Sequence, residues 1–224
     1  MKGGVAYGYQ AEAETDQSSQ GQSSETGCAA AQRAGEAVMG INTEIYDLMK
    51  PYLDTRPTLV LMGEQFMRRG MLKRFRGAHK IATRFIRAAH GCSVTSIDLN
   101  SNHGAVRYDL GKPMPDSWEG VFTMLYNGGT AEHVGSQWEF FRNCHVLMKN
   151  GSIMVHVVPL TGSWAGHSPW LYTRAFLPQL AQRNGYQVVD ELFFSRGINE
   201  AMCMVFRHDG LLYNGIPYDQ VKHA

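Results

Sequence analysis

No apolar run in the 224-residue chain approaches the roughly 18–20 residues needed to cross a bilayer. The N-terminal stretch MKGGVAYGYQAEAETD also lacks the apolar core of a secretory signal. Cysteine is scarce: Cys28, Cys92, Cys144 and Cys203 lie far apart and form no C-x-x-C pair. That excludes the spacing of a zinc ribbon or a thioredoxin-type site, and it argues against a disulfide framework. A charge excess is missing as well. Lys+Arg number 21 and Asp+Glu 20, for a net charge of +1, whereas a protein whose whole surface seeks a polyanion carries a clear basic surplus. The expectation left standing is a cytoplasmic chain with reduced thiols and no membrane association. What the sequence does have is apolar matter, 44% of residues, enough for one sizeable core in a domain of ordinary length.

The composition divides the chain in two. From Ala11 to Thr26 the residues are Gln, Ser, Glu, Thr and Gly with two alanines and one Asp, and there is no large apolar side chain. Such a segment cannot bury enough surface to offset the entropy of ordering it, so residues 1–36 read as a disordered low-complexity tail and 37–224 as the folded domain. Within that domain, Ile41, Ile45, Leu48 and Met49 sit at helical spacing ahead of Pro51. Thr58–Met62 reads as a buried strand and Ser93–Asp98 as a second strand. The stretch Gln65 to His90 between them reads as helix, broken at Gly70 or Gly77. Ala105–Asp109 is a short third strand and Gly120–Tyr126 a fourth. A helix begins after Glu132, presents Trp138, Phe141, His145 and Met148, and closes at Asn150-Gly151. Thr130 is its expected N-cap, with Glu132 and His133 in its first turn. Ser152–Val158 is a fifth strand. Helix then runs from Pro169 to Gly185, kinked at Pro178, and two antiparallel strands, Gln187–Phe194 and Ala201–His208, end the pattern. Strands alternating with helices imply a Rossmann-like three-layer α/β/α sandwich, its sheet mostly parallel with a C-terminal antiparallel hairpin.

In open sheets of this kind ligands bind beyond the carboxyl ends of the strands, where the strand order reverses. The informative residues are therefore those that follow each run. Asp98 ends the second strand, where a carboxylate, an acceptor with two oxygens, can hold both hydroxyls of a ribose. Asp109 follows the third strand and either meets an adenine amino group or caps the turn Leu110-Gly111-Lys112-Pro113. Gly63 follows the first strand and permits close backbone approach. After the fourth strand, Asn127-Gly-Gly-Thr-Ala-Glu-His133 packs a hydroxyl, a carboxylate and an imidazole behind paired glycines. A charged His gains nothing from a helix N-terminus, which makes His133 a candidate base.

The strings Ser96-Ile-Asp-Leu99, Asp109-Leu-Gly-Lys-Pro113, Gly128-Gly-Thr-Ala-Glu-His-Val134 and Asn143-Cys-His-Val-Leu147, with Gly151, Pro159 and His167, resemble the class I S-adenosylmethionine-dependent methyltransferases, in a divergent branch. The resemblance runs from about Thr58 to His208 and leaves out the N-terminal tail and the last dozen residues. It implies S-adenosylmethionine as cofactor, held by Gly63, Glu64, Asp98, Leu99, Asp109, Leu110, Asn127 and Gly128. His133, Glu132 and His167 would then face the methyl acceptor, an O or N nucleophile on a small molecule or sugar. The sequence departs from the family at the glycine-rich loop. Leu61 replaces the usual acid, and Gln65 and Met67 stand where glycines are expected. That departure supports a second reading, a methyltransferase-like module without catalysis that has lost the cofactor and serves as a binding or structural protein.

Three further features belong to the sequence alone. Eight basic residues, Arg68, Arg69, Lys73, Arg74, Arg76, Lys80, Arg84 and Arg87, crowd the stretch 68–87 with no acid among them, a phosphate-tracking face for nucleic acid or else a solvated surface. Trp164, His167 and Trp170 suggest an aromatic-lined acceptor pocket. No metal is expected, because His133, His145, His156 and His167 do not sit at ligand-pair spacing on one helix.

Overall fold

The computed structural model describes residues 40–224, so the expectation for the 1–36 tail lies outside the described residues. The described chain runs α1 (Thr43–Leu53), β1 (Thr58–Met62), α2 (Arg69–Arg74), α3 (Ala82–His90), β2 (Ser93–Asp98), β3 (Val106–Arg107), β4 (Phe122–Gly128), α4 (Gln137–Val146) and β5 (Met148–Pro159). It continues through β6 (Trp170–Tyr172), α5 (Phe176–Asn184), β7 (Gln187–Arg196), β8 (Asn199–Arg207) and β9 (Val221–His223). Seven strands form one sheet in the order β3-β2-β1-β4-β5-β8-β7. Pairing is parallel from β3 through β5 and antiparallel at β5–β8 and β8–β7. The expected sandwich with its terminal hairpin is the observed fold.

The period of two along a strand builds both cores at once. Leu59 and Leu61 of β1 join the cluster formed with Ile45 and Met49 of α1 and Phe85 and Ile86 of α3. Val60 and Met62, pointing the other way, join Phe140, Phe141 and Cys144 of α4 and Leu177 and Leu180 of α5. A strand buried on both faces has no polar side to show, which is why TLVLM reads as a continuous apolar run. Each such side chain contributes about 1.5–3 kcal/mol through burial.

Several expected boundaries move, each for a local reason. α1 begins at Thr43 because the Asn42 side chain accepts the Ile45 N–H at 2.8 Å, and it extends past Pro51 to Leu53. The 65–90 stretch holds two separate helices. Gly70 lies inside α2, whereas Gly77, at φ +80°, lies in the break. The third strand shrinks to Val106–Arg107, consistent with the few residues that separate it from β2. α4 starts at Gln137 with Ser136, not Thr130, as N-cap. Ala131–His133 form a separate 3-10 turn before it, so Glu132 and His133 are not in the first turn of the helix. α4 ends at Val146, and Asn150-Gly151 lies inside β5, where the register with β4 slips between Phe122 and Met124. The helix expected from Pro169 opens only at Phe176. Trp170–Tyr172 instead pair with Val221–His223 as a small second sheet that ties down the C-terminal residues. Pro178 is in the first turn of α5, where its missing N–H has no intrahelical partner to lose, so it need not kink the helix. No helix among the described residues is long and apolar enough to cross a membrane.

Candidate active site

The strand order reverses between β2 and β4, on either side of β1. There the carboxyl ends of these strands open a cleft of about 390 Å³. Gly63, Glu64, Asp98, Leu99, Asp109, Leu110 and Gly128 all line it, seven of the eight residues assigned to the cofactor by resemblance. Asp98 is its electrostatic anchor. Its Oδ2 accepts the Glu64 N–H at 2.8 Å and its Oδ1 accepts the Asn100 N–H at 2.9 Å. Two backbone bonds fix the carboxylate while leaving each oxygen a further lone pair for a ligand hydroxyl. Beside it Leu99 is 62% exposed, a large apolar side chain bared at the cleft wall. Asp109 performs the turn-capping role, since its Oδ1 accepts the Gly111 N–H at 2.9 Å, and it still borders the cleft. Desolvation raises the Glu64 carboxyl above the usual range, opposed by the nearby His103 and reinforced by Asp98.

The degraded glycine loop has a structural answer. Gln65 is buried and turns its amide under the loop, where Nε2 donates to the Met62 carbonyl at 3.0 Å and to Thr130 Oγ1 at 3.2 Å. Met67 is buried in the core with Ile41 and Met71. Of the two side chains that replace glycines, Gln65 borders the cleft with its amide already engaged by Met62 and Thr130, and Met67 packs into the core. Gly63 keeps the constraint that matters, at φ +75°, with the Thr130 hydroxyl occupying the space a Cβ would need. Thr130 Oγ1 in turn donates to the Met62 carbonyl at 2.6 Å, so the two walls of the cleft meet at this contact.

The lip after β4 sorts its residues differently from the sequence expectation. Asn127 is fully buried and does not line the cleft. Its Oδ1 accepts the N–H groups of Thr130 and Ala131, both at 3.3 Å, and its amide nitrogen meets His156 Nδ1 at 3.4 Å. It holds the lip in shape, and the cofactor role given to it by resemblance is not supported. Neighbouring residues in the 3-10 turn point opposite ways. His133 reaches the cleft mouth beside Val134 and Gly135, and Glu132, 0% exposed, points beneath it. Desolvation lowers the His133 pKa. The Glu132 charge opposes that shift and His167 adds to it, so the ring is held in its neutral form.

His167 arrives from the loop after β5 and joins this pair. Its Nε2 lies 3.6 Å from Glu132 Oε1, and its ring centre lies 5.1 Å from that of His133. Ligand atoms of Glu132, His133 and His167 all fall within 4.8 Å of one another. The sequence could not show this cluster, because its members come from two loops 34 residues apart. The aromatic pocket expected from Trp164, His167 and Trp170 is absent from the cleft wall. Trp164 is buried and donates its indole N–H to the Glu200 carbonyl, and Trp170 packs on His223.

No protein-family model matches the chain, and no curated protein matches it in sequence. Solved structures do match it in fold. One is the Burkholderia thailandensis 1,6-didemethyltoxoflavin-N1-methyltransferase with bound 1,6-didemethyltoxoflavin and S-adenosylhomocysteine, at TM-score 0.53 and 15% identity over 86% of this chain and 93% of that one. Another is an S-adenosylmethionine-dependent methyltransferase from Archaeoglobus fulgidus, at TM-score 0.52 and 12% identity over 72% and 90%. With its sheet order and C-terminal antiparallel strands, the chain has the fold of the class I S-adenosylmethionine-dependent methyltransferases.

Proposed function

We propose that the protein transfers a methyl group from S-adenosylmethionine to an oxygen or nitrogen of a small molecule. The observation that carries this reading is the placement of Asp98. It ends β2 at the cleft, with its carboxylate fixed by two backbone donors and lone pairs to spare. Asp98 would hold the ribose, Leu99, Asp109 and Leu110 would border the adenine, and Gly63 with Gly128 would let the remainder of the cofactor approach the backbone. When bound, the cofactor supplies a methyl group on a sulfonium already activated for transfer. The protein's task is then to orient donor and acceptor, and to receive a proton if the acceptor is a hydroxyl. Glu132, His133 and His167 form the group on the acceptor side, with His133 at the cleft mouth. A small-molecule acceptor accords with the compound bound in the Burkholderia structure. The non-catalytic alternative rests on the loop substitutions, but Met67 packs into the core and Gln65, though it borders the cleft, has its amide tied to Met62 and Thr130.

Calorimetric titration with S-adenosylhomocysteine tests the reading. Wild type should bind, and Asp98→Ala should bind at least tenfold more weakly, since each charge-assisted bond lost is worth about 1.5–3 kcal/mol. Equal affinity in the two proteins would remove Asp98 from the site. No binding to wild type would favour the non-catalytic module.

A further inference from the structure

We infer that Glu132, His133 and His167 form a binding site for a divalent transition-metal cation, placed to hold an oxygen of the methyl acceptor. Glu132 carries a buried carboxylate that no hydrogen bond of the protein answers. Its carboxylate is 0% exposed, and neither Oε1 nor Oε2 meets a hydrogen-bond donor of the protein. The two tyrosine hydroxyls near enough to feel its charge are committed elsewhere: Tyr126 donates to the Gly40 carbonyl and Tyr172 to Gln137 Oε1. A buried carboxylate without donors is costly unless a positive charge compensates it. The buried Nε2 of His167 is also without a hydrogen bond, although it lies 3.6 Å from that carboxylate. Two electron-pair donors facing one another across that gap suit a cation between them better than a direct bond.

The geometry is close to that of a bound ion. Donor atoms about 2.0–2.2 Å from one metal lie roughly 3–3.5 Å apart. Glu132 and His167 are already near this spacing, and His133 completes a set whose ligand atoms all lie within 4.8 Å of one another. His167 is presented by a fixed turn. Its N–H donates to the Trp164 carbonyl at 3.0 Å, and Trp164 itself is buried at φ +60°, a left-handed conformation rare for a bulky residue. Two imidazoles and one carboxylate suit Zn²⁺, Co²⁺, Mn²⁺ or Fe²⁺ over Mg²⁺ or Ca²⁺, and three protein ligands leave open positions. Because His133 lies at the cleft mouth, those positions face the space where an acceptor would sit. A hydroxyl bound there has its pKa lowered and releases its proton to solvent, so His133 serves as a ligand and not as the proton acceptor. This acceptor role rests on the methyltransferase reading, whereas the metal site itself does not.

Full-length, tag-free protein stripped with a chelator should bind one equivalent of Zn²⁺ by calorimetry. Co²⁺ should give visible ligand-field bands of matching stoichiometry. His167→Ala and Glu132→Gln should each weaken binding at least about tenfold. His133→Ala, at the exposed mouth, supplies a variant whose folding is not at stake and should do the same. Absence of saturable binding, or unchanged affinity in His133→Ala and His167→Ala, would overturn the site and leave a buried Glu132–His167 ion pair. S-adenosylhomocysteine titrated into the same samples separates the two readings. Cofactor binding without metal binding refutes only this site, and metal binding without cofactor binding supports the site but removes its acceptor role.

Discussion

The two walls of the cleft are built on opposite principles. On the wall formed by β1, β2 and β3, the polar groups are already answered. Asp98 takes two backbone N–H groups, Asp109 takes the Gly111 N–H, and Gln65 satisfies the loop from below. On the wall formed after β4 and β5, the lip is equally well tied by Asn127, yet Glu132 and His167 retain buried atoms with no hydrogen-bond partner. The first wall is a finished cradle, its carboxylates fixed by the backbone with lone pairs left for a ligand. The second is unfinished, and its leftover donors mark where chemistry is to be added. A completed polar network rigidifies a site, whereas an incomplete one in a buried setting stands out for a functional role.

Acid should act most strongly, and on the unfinished side. The lip is braced by Asn127 against His156, whose pKa burial lowers to about 3. His145, at the far end of the same core layer against Tyr186 and His208, is lowered to about 4, by burial first and by the His208 charge second. Both folded values lie below the unfolded value of about 6.5. Between those values the unfolded chain binds protons that the folded chain excludes, so stability falls as pH drops below about 6.5. Each group's loss levels off only below its folded pKa. Urea unfolding from pH 7 to 5 should show a loss of up to about 1.4 kcal/mol per pH unit for each group, and His156→Gln should remove part of that slope. A flat profile in wild type would mean that these rings titrate normally.

Gly63→Ala is the next largest effect, and it probes the seam between the walls. A side chain at φ +75° costs about 1–2 kcal/mol in backbone strain, and crowding Thr130 adds about 1–3 kcal/mol. Urea unfolding should therefore give a loss of about 2–4 kcal/mol, with weaker S-adenosylhomocysteine binding in parallel. A loss well below 1 kcal/mol would show that the walls adjust independently and that the Gly63–Thr130 contact does not join them.

The finished wall was also the legible one. TLVLM and SVTSID match β1 and β2 to the residue: β1, buried on both faces, leaves an unbroken apolar run, and β2 places Val94 and Ile97 in the core. Asp98 and Gly63 then follow from position alone. The lip was only half legible. Its string of residues pointed to chemistry, but the 3-10 turn that sends Glu132 inward and His133 outward leaves no periodic trace, nor does the burial that turns Asn127 into a brace. The Glu132–His167 approach depends on where two loops meet, information no local spacing holds. β6 was hidden for a similar reason: WLY is strand only because β9, some 50 residues on, pairs with it. Propensity assigns segments, and long-range pairing overrides it at the edges.

The smallest expected effect concerns the basic stretch, most of which lies outside both walls. In the fold it does not form one stripe. Arg68 borders the cleft, Arg74 grips Asp47 of α1 with contacts of 2.7 and 2.8 Å to its two oxygens, Lys80 lies over the Phe66 ring, and Arg87 donates to the Val94 carbonyl. A face that tracks phosphates needs its cations free and aligned, and here at least three of the eight already serve intramolecular contacts. The Arg74–Asp47 pair is half exposed on both sides, where ion pairs contribute little. Arg74→Glu should therefore move Tm by no more than about 2 °C and leave S-adenosylhomocysteine affinity unchanged. Fluorescence anisotropy with a labelled oligonucleotide at low salt should show weak binding, altered little by the substitution. Tight binding that falls steeply with salt and is lost in Arg74→Glu would reverse this assignment. It would make nucleic acid the acceptor to test first at the Glu132–His133–His167 group.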